Sequence, residues 1–297
     1  MLTIDPSELG NPKTHHYLLG AVGPRPICFA STIDKNGVPN LAPFSFFNVF
    51  SSNPPVAIFS PARSGRTGQQ KDTYNNVKSI PEVVINLVDY NMVEKMSLAS
   101  SPYEPEIDEF IKSGLTPIES ETIRPFRVKE SPVQMECEVF NVMELGETGG
   151  AGNLIMCKIK KIHIQKGILD DNQMIDQQKI DLVSRMGGNW YCRTDANSMF
   201  EIAKPITTCG IGIDKMPKDI LYSEILTGND LGKLGGIEAL PNETEVNEYK
   251  LVELGDLFVE LEDHPSELEN KLHQIAQTLL KEDKLEEAWK TLLTFNN

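Results

Sequence analysis

Hydrophobic and polar residues alternate in short runs over the first two hundred positions, then recur at three- and four-residue spacing near the end. In Arg25-Pro-Ile-Cys-Phe-Ala-Ser-Thr-Ile-Asp, Ile27, Phe29, Ser31 and Ile33 share one face and Cys28, Ala30 and Thr32 the other, the period of a strand. Lys35-Asn36-Gly37 follows, and Asn-Gly supplies the positive φ angles that a tight hairpin needs. Val56 to Phe59, Val83 to Val88, Val133 to Val142 and Leu154 to Ile164 are further predicted strands. Short strands divided by turns favour antiparallel pairing over a doubly wound parallel sheet. One short helix is predicted from Glu106 to Lys112, with Ile107, Phe110 and Ile111 on one face and Gly114 to end it.

After about residue 200 the period changes. Leu268, Leu272, Ile275 and Leu279 recur at helical spacing, and Ser266 with Glu269 makes a capping box. Leu285, Ala288, Trp289, Leu292 and Leu293 form a second stripe, opened by Asp283 and Glu286. Joined by Lys281-Glu-Asp-Lys, the two make a helical hairpin. A repeat array needs several copies, and no second copy is present, so an appendage covering a barrel or a partner subunit is expected. The segment from Pro205 to Glu248, rich in glycine and proline, reads as an irregular connector. The expected organisation is therefore one domain over residues 1–200, then a connector and helical hairpin over 201–297.

Composition narrows the function. With 40% hydrophobic and 24% charged residues the chain is globular. Its net charge of −15 argues against nucleic acid and anionic membrane surfaces as partners. Fifteen acids against five lysines put −10 of that charge between Ile237 and the end. An anionic ligand must therefore be held by a local cationic site. The five cysteines are odd in number and form no C-x-x-C pair, so free thiols in a reducing compartment are expected. No signal peptide and no membrane-spanning run is visible, which makes the cytoplasm the expected location.

Two stretches carry chemistry. From Ser60 to Ile80 there are four cations (Arg63, Arg66, Lys71, Lys78) and one acid (Asp72), a local +3. Gly65 and Gly68 let the backbone turn closely around a ligand, and Ser60, Ser64, Thr67 and Thr73 add hydroxyls. Arginine forks, an ammonium and hydroxyls suit a phosphate dianion; a plain solvated loop is the competing reading. In Asn40-Leu-Ala-Pro-Phe-Ser-Phe-Phe-Asn, Phe44, Phe46 and Phe47 are interleaved with Ser45 and Asn48. A planar heteroaromatic ligand needs such an apolar slot with polar groups at its rim, while an aromatic core strand would use the same residues.

Other patterns lead nowhere. Gly210-Ile-Gly-Ile-Asp lacks the third glycine of a dinucleotide fingerprint, and Gly228-Asn-Asp-Leu-Gly-Lys-Leu puts Leu234 where a phosphate loop needs a hydroxyl. His15-His16 has no further ligand at useful spacing, and the acidic tail has no calcium-loop pattern, so no metal site is expected.

The ordered set Arg25-Pro-Ile, Ala30-Ser-Thr, Asn40-Leu-Ala-Pro-Phe-Ser-Phe-Phe-Asn, Lys71-Asp-Thr, Asn86-Leu-Val and Arg185-Met-Gly-Gly-Asn-Trp-Tyr resembles the flavin reductase-like family of FMN-binding split barrels, the flavoredoxin group. Glu109-Phe, Gly114-Leu-Thr-Pro and Ser131-Pro-Val-Gln-Met-Glu-Cys add to a likeness that runs from about residue 17 to 197. The resemblance implies a mainly β fold, an antiparallel Greek-key split β-barrel that dimerises, here with a C-terminal helical extension outside the usual domain. It implies FMN, with Ser45, Phe46, Phe47 and Asn48 along the ring, Arg66, Lys71 and Thr73 facing the phosphate with Arg63 as a helper, and Ser60 and Asp72 among the other cofactor-binding residues. Arg185, Trp190 and Tyr191 fall by the same likeness near the flavin or a nicotinamide entrance, or simply pack where the barrel closes. The implied activity is hydride transfer from NADH or NADPH to flavin, with electrons passed to an acceptor that could be a protein. An FMN protein that stores flavin or relays electrons is the alternative, and a pyridoxamine phosphate type oxidase on a related barrel a third.

Overall fold

The computed structural model describes residues 1–104 and 106–295. Its contacts divide the chain into two compact units, Met1–Phe200 and Glu201–Asn297.

Seven strands of the first unit form one antiparallel sheet: β2 (Cys28–Ile33), β3 (Pro39–Phe44), β4 (Phe47–Ser52), β5 (Pro55–Phe59), β6 (Glu82–Asn86), β9 (Val133–Glu144) and β10 (Asn153–Ile164). Their order across the sheet is β3-β2-β6-β9-β10-β5-β4. Laid flat, such a sheet separates its edge strands by about 29 Å. Yet edges β3 and β4 are joined only by Ser45 and Phe46, a link that reaches about 11 Å when fully extended. The sheet must curl until its edges approach, and the gap between them falls at Ser45-Phe46. Two small sheets complete the unit: β1 (Arg25–Pro26) with β11 (Val183–Arg185) and β12 (Tyr191–Arg193), and the pair β7 (Pro117–Ile118) and β8 (Arg127–Val128).

The alternation in β2 serves two cores. Cys28 and Ala30 pack with Phe59, Val139, Ile155 and Cys157 on one side. Ile27 and Phe29 pack on the other with Leu41, Met92, Met96 and Phe110, supplied in part by α3 (Val93–Ala99) and α4 (Glu109–Ser113) together with the turn before α3. Burial on both faces explains why apolar residues fall on each face of this strand and why its two polar residues, Ser31 and Thr32, are buried as well. The hairpin to β3 turns at Gly37 with φ +87°, but Asn36 does not take the positive φ expected of it, because the Asp34 side chain accepts the N–H groups of Asn36 and Val38 and sets a longer turn. All five cysteines are free thiols, and burial pushes those of Cys28, Cys137 and Cys157 up.

The predicted helix at Glu106 starts three residues later, at Glu109, because the Asp108 side chain accepts the Phe110 N–H and caps it there. Over so short a helix only Phe110 turns into the core; Ile111 is 77% exposed, against expectation. Gly114 ends the helix at φ +63° as predicted. Gly114→Ala should therefore cost about 1 kcal/mol by forcing a Cβ into the left-handed region, read as a lower urea midpoint at unchanged slope.

Glu136 on β9 is fully buried. Its carboxylate accepts the N–H groups of Glu121 at 2.8 Å and Thr122 at 2.7 Å and is met by His163 Nε2 at 2.8 Å. Arg127 Nε lies 3.7 Å away. Burial alone would raise its pKa, but the hydrogen bond from the Thr122 hydroxyl, with those from Glu121 N–H, His163 and Thr122 N–H, outweighs it and holds the group at about 2.

The second unit is helical: α5 (Lys218–Leu221), α6 (Gly228–Leu234), α7 (Glu243–Glu253), α8 (Gly255–Glu260), α9 (Pro265–Lys281) and α10 (Leu285–Leu293). Helix thus exceeds strand over the whole chain, 33% against 24%, so "mainly β" describes the first unit alone. The irregular connector expected from Pro205 to Glu248 is overturned. Thr227 with Asp230 and Asn242 with Glu245 form capping boxes that start α6 and α7, and local capping outweighs the glycines. The box read at Ser266 and Glu269 is not formed, because Pro265 takes the first helical position and puts Ser266 inside the first turn. The hairpin of α9 and α10 buries Leu272, Leu280, Trp289 and Leu292, and Trp289 Nε1 donates to Leu234 O at 3.0 Å. Among the described residues no helix is long and apolar enough to cross a membrane.

Candidate functional site

Beyond β5 the cationic stretch is a pinned loop rather than a free one. Arg63 N–H donates to Ala151 O at 2.8 Å, Gly150 N–H to Arg63 O at 3.0 Å, and Asn153 Nδ2 to Pro61 O at 2.8 Å. Within it, Ser64 N–H reaches Gln69 O and Gly68 N–H reaches Ser64 O, both at 2.8 Å, with Gly68 at φ +71°. A Cβ on Gly149 would stand 2.9 Å from Ser64 O, so this turn between β9 and β10 needs glycine to lie against the loop. The loop ends at Lys71, the N-cap of α2 (Asp72–Ser79), whose positive end adds to the cationic field.

The aromatic stretch is held from the other side. Ser60 N–H donates to Phe46 O at 2.8 Å, and the Phe44 and Phe59 rings are 5.6 Å apart. Arg25 is only 6% exposed and acts as a brace. Its guanidinium donates to Leu19 O and Met186 O at 2.8 Å and to Val22 O, and its Nε lies 3.5 Å from Ser45 Oγ. Leu19 ends the facing side of α1 (Asn11–Ala21), which is tied at its start by Asn11 Nδ2 to Gly149 O at 2.9 Å.

Between these elements lies a cleft of about 800 Å³. Of the sequence-predicted residues it brings together Ser45, Phe46, Ser60, Arg63, Arg66 and Lys71. Phe44, Ser64 and Gly65 of the same two stretches line it as well, together with Gly150 and three residues of α1 that the sequence did not mark for this site, Asn11, His15 and Leu19. Spaced four apart, those three share a helix face, but it mixes two polar residues with one leucine and so makes no apolar stripe. His15 meets the Phe46 ring edge-on at 6.3 Å. No carboxylate is among the cleft's lining residues. A second cleft of about 450 Å³, within the helical unit, is lined by Glu245 and Glu286 without a cation, the wrong charge for an anion.

The cations of the cleft are not equivalent. Arg63 is bound to Glu144 at 2.9 Å and also lies near the carbonyls of Gly146 and Gly68. Tyr74, whose hydroxyl donates to Glu144, and Arg63 together hold that carboxyl below its usual range. Arg63 is thus an anchor for the loop. Arg66 and Lys71 are exposed and, among the described residues, have no ion-pair partner.

The remaining sequence-predicted residues lie outside the lining. Thr73 is 1% exposed and donates to Asn40 Oδ1 at 2.9 Å. Asn40 Nδ2 in turn reaches Glu109 at 3.2 Å, a carboxyl pushed up by burial despite also accepting Leu41 N–H at 2.9 Å. Thr73 therefore locks α2 to β3. Asp72 is the first residue of α2, Phe47 packs against the barrel core, and the Asn48 side chain accepts Val49 N–H at 2.8 Å. Arg185, Trp190 and Tyr191 belong to the β11–β12 hairpin. There the Arg185 guanidinium sits 4.5 Å from the Tyr191 ring centre, and Trp190 is 78% exposed. Pairing of Arg25 with Arg185 joins this hairpin to the Arg25 brace.

Residues 21–180 match the family model described as a flavin reductase like domain. An uncharacterised protein of Aquifex aeolicus (strain VF5) is 37% identical over 187 residues, 63% of this chain and 92% of that one. The crystal structure of nitrilotriacetate monooxygenase component B from Bacillus cereus is 31% identical with a TM-score of 0.64, covering 68% of this chain and 98% of its own. A Shewanella frigidimarina structure described as having a split barrel domain shares the fold at 23% identity and a TM-score of 0.56, covering 66% of this chain and 96% of its own.

Proposed function

The chain belongs to the flavin reductase-like domain family, and from that premise we propose that it binds FMN in the cleft of the first unit, takes hydride from NADH or NADPH onto that flavin, and passes the electrons to an acceptor. One observation carries this reading: a cleft with no carboxylate among the described residues that line it, joining Arg66 and Lys71, which have no ion-pair partner among the described residues, to the Phe44-Ser45-Phe46 link, in a chain of net charge −15.

The residues fit the group. A phosphate of nearly two negative charges is matched by the arginine fork of Arg66 and the ammonium of Lys71. The pinned loop holds these donors without committing them to partners, so little ordering is left for binding to accomplish. Phe44 and Phe46 offer an apolar wall, and Ser45 offers a hydroxyl and backbone groups to a polar ring edge. Thr73 supports the site by fixing α2, and Arg25 by fixing Ser45. Bound flavin supplies the capacity to accept a hydride; what the chain contributes is position, shielding and charge. Arg185, Trp190 and Tyr191 are proposed to flank the nicotinamide approach, on an exposed hairpin joined to the Arg25 brace.

Exposed apolar residues on one half of the sheet, Val49 and Phe50 of β4, Phe140 and Met143 of β9, Ile162 and Ile164 of β10, support a homodimer. Likeness to a protein named as a monooxygenase component supports an acceptor on a second protein that takes reduced flavin.

The test is direct. Purified full chain incubated with FMN should turn yellow and retain one flavin per chain through gel filtration; protein that stays colourless overturns the site. FMN-loaded protein should then oxidise NADH or NADPH in steady state. Bound FMN without turnover overturns the reductase activity and leaves the carrier function.

A further inference from the structure

The helical unit carries a cluster with no part in flavin chemistry. Glu269 and His273 stand four residues apart on one face of α9, and Asp219 lies on α5. One ligand atom from each of the three lies within 4.8 Å of the others. His273 is 3% exposed. Its Nδ1 is engaged by Ser223 Oγ at 2.8 Å, whereas the other ring nitrogen, Nε2, has no hydrogen-bond partner. Leaving a buried imidazole nitrogen unpaired is costly, and natural cores avoid it unless the group has another use.

We propose that Asp219, Glu269 and His273 bind a divalent transition-metal ion of the zinc type, which clasps α5 to α9. Two carboxylates balance the ion's charge, and an imidazole nitrogen selects zinc-like ions over magnesium or calcium, which prefer all-oxygen sites. A tetrahedral ligand sphere about 2.0–2.2 Å in radius spaces its donors roughly 3.3–3.6 Å apart, inside the 4.8 Å within which these ligand atoms already lie, so side-chain rotation suffices to close them on an ion. Metal at Nε2 requires the tautomer protonated at Nδ1, and Ser223 Oγ, which donates to Nδ1 in the metal-free chain, accepts from it instead by releasing one of the two backbone N–H groups it holds. That is the outer contact by which metal-bound histidines are oriented. In the metal-free chain Ser223 is itself fixed, since its Oγ accepts the N–H groups of Ile225 and Leu226 at 3.1 Å. The half-buried carboxylates leave a path for the ion to enter.

The full chain, stripped with a chelator and dialysed, is titrated calorimetrically with zinc chloride and separately with magnesium chloride. The expected result is one zinc per chain, no comparable magnesium binding, and a rise of several degrees in the melting temperature of the unit reported by Trp289 fluorescence. Glu269→Gln, at a half-buried position, should weaken zinc by at least about tenfold while leaving FMN binding unchanged. His273→Gln should do the same, and if it fails to fold the Glu269→Gln comparison still decides. Absence of zinc uptake, equal binding of magnesium, or unchanged affinity in Glu269→Gln would overturn the site. None of these outcomes touches the flavin reading, which concerns the other unit.

Discussion

Replacing Arg66 and Lys71 together by alanine should weaken FMN about a hundredfold and leave riboflavin within about twofold. The difference is the phosphate, which only FMN carries. A hydrogen bond to a charged group contributes roughly 1.5–3 kcal/mol. Both side chains are exposed and screened, so the lower figure applies to each, and about 3 kcal/mol corresponds to about two decades in affinity. Neither residue has an ion-pair partner among the described residues, so removing them leaves no carboxylate stranded and the fold intact. Arg63→Gln is the contrast. It breaks the tie to Glu144 and loosens the loop, so it should weaken FMN and riboflavin alike. Titrations followed by quenching of flavin fluorescence separate the two patterns, and equal losses of both ligands in the Arg66/Lys71 variant would reject the phosphate assignment. FMN binding should also fall with added salt, more steeply than riboflavin binding.

The second large effect is on stability. Glu136→Gln should destabilise the first unit by about 3 kcal/mol at neutral pH, seen as a lower urea midpoint in the circular dichroism of the sheet. The carboxyl is held at about 2 in the folded chain, against roughly 4.3 when unfolded. A depression of that size corresponds to about 3 kcal/mol. Because the folded pKa lies below the unfolded one, the contribution is complete above about pH 4.5 and is lost as pH falls towards 2. The wild-type chain should lose stability across that window, and the variant, already lacking the charge, should lose less. Identical acid profiles would show that Glu136 is not the group responsible. The variant amide also turns an N–H₂ towards donors that need an acceptor, including the N–H groups of Glu121 and Thr122.

Much of the first unit is legible because its local rules agree. Alternation in β2, Gly37 before β3 and glycine after α4 each point to one conformation. The helical hairpin is legible for the same reason, since its stripes have one period throughout. Legibility fails where two local signals compete. Glycine and proline between 205 and 248 hid helices that Thr227 and Asn242 were capping. At Pro265 a favourable first position displaced the capping box read at Ser266.

For the site, residue chemistry along the chain was enough to single out a cationic loop and an aromatic stretch, because charge and apolarity are properties of the residues themselves. Which of those residues meet was decided only in three dimensions. Two residues joining opposite edges of a seven-stranded sheet force it to curl, and that closure sets the Phe44 ring of β3 against Phe59 of β5, while Asn11, His15 and Leu19 of α1 reach the cleft from a distant part of the sequence. The division of labour among the cations is likewise tertiary. Arg63 differs from Arg66 through Glu144, eighty-one positions away, and no local pattern encodes a partner at that distance.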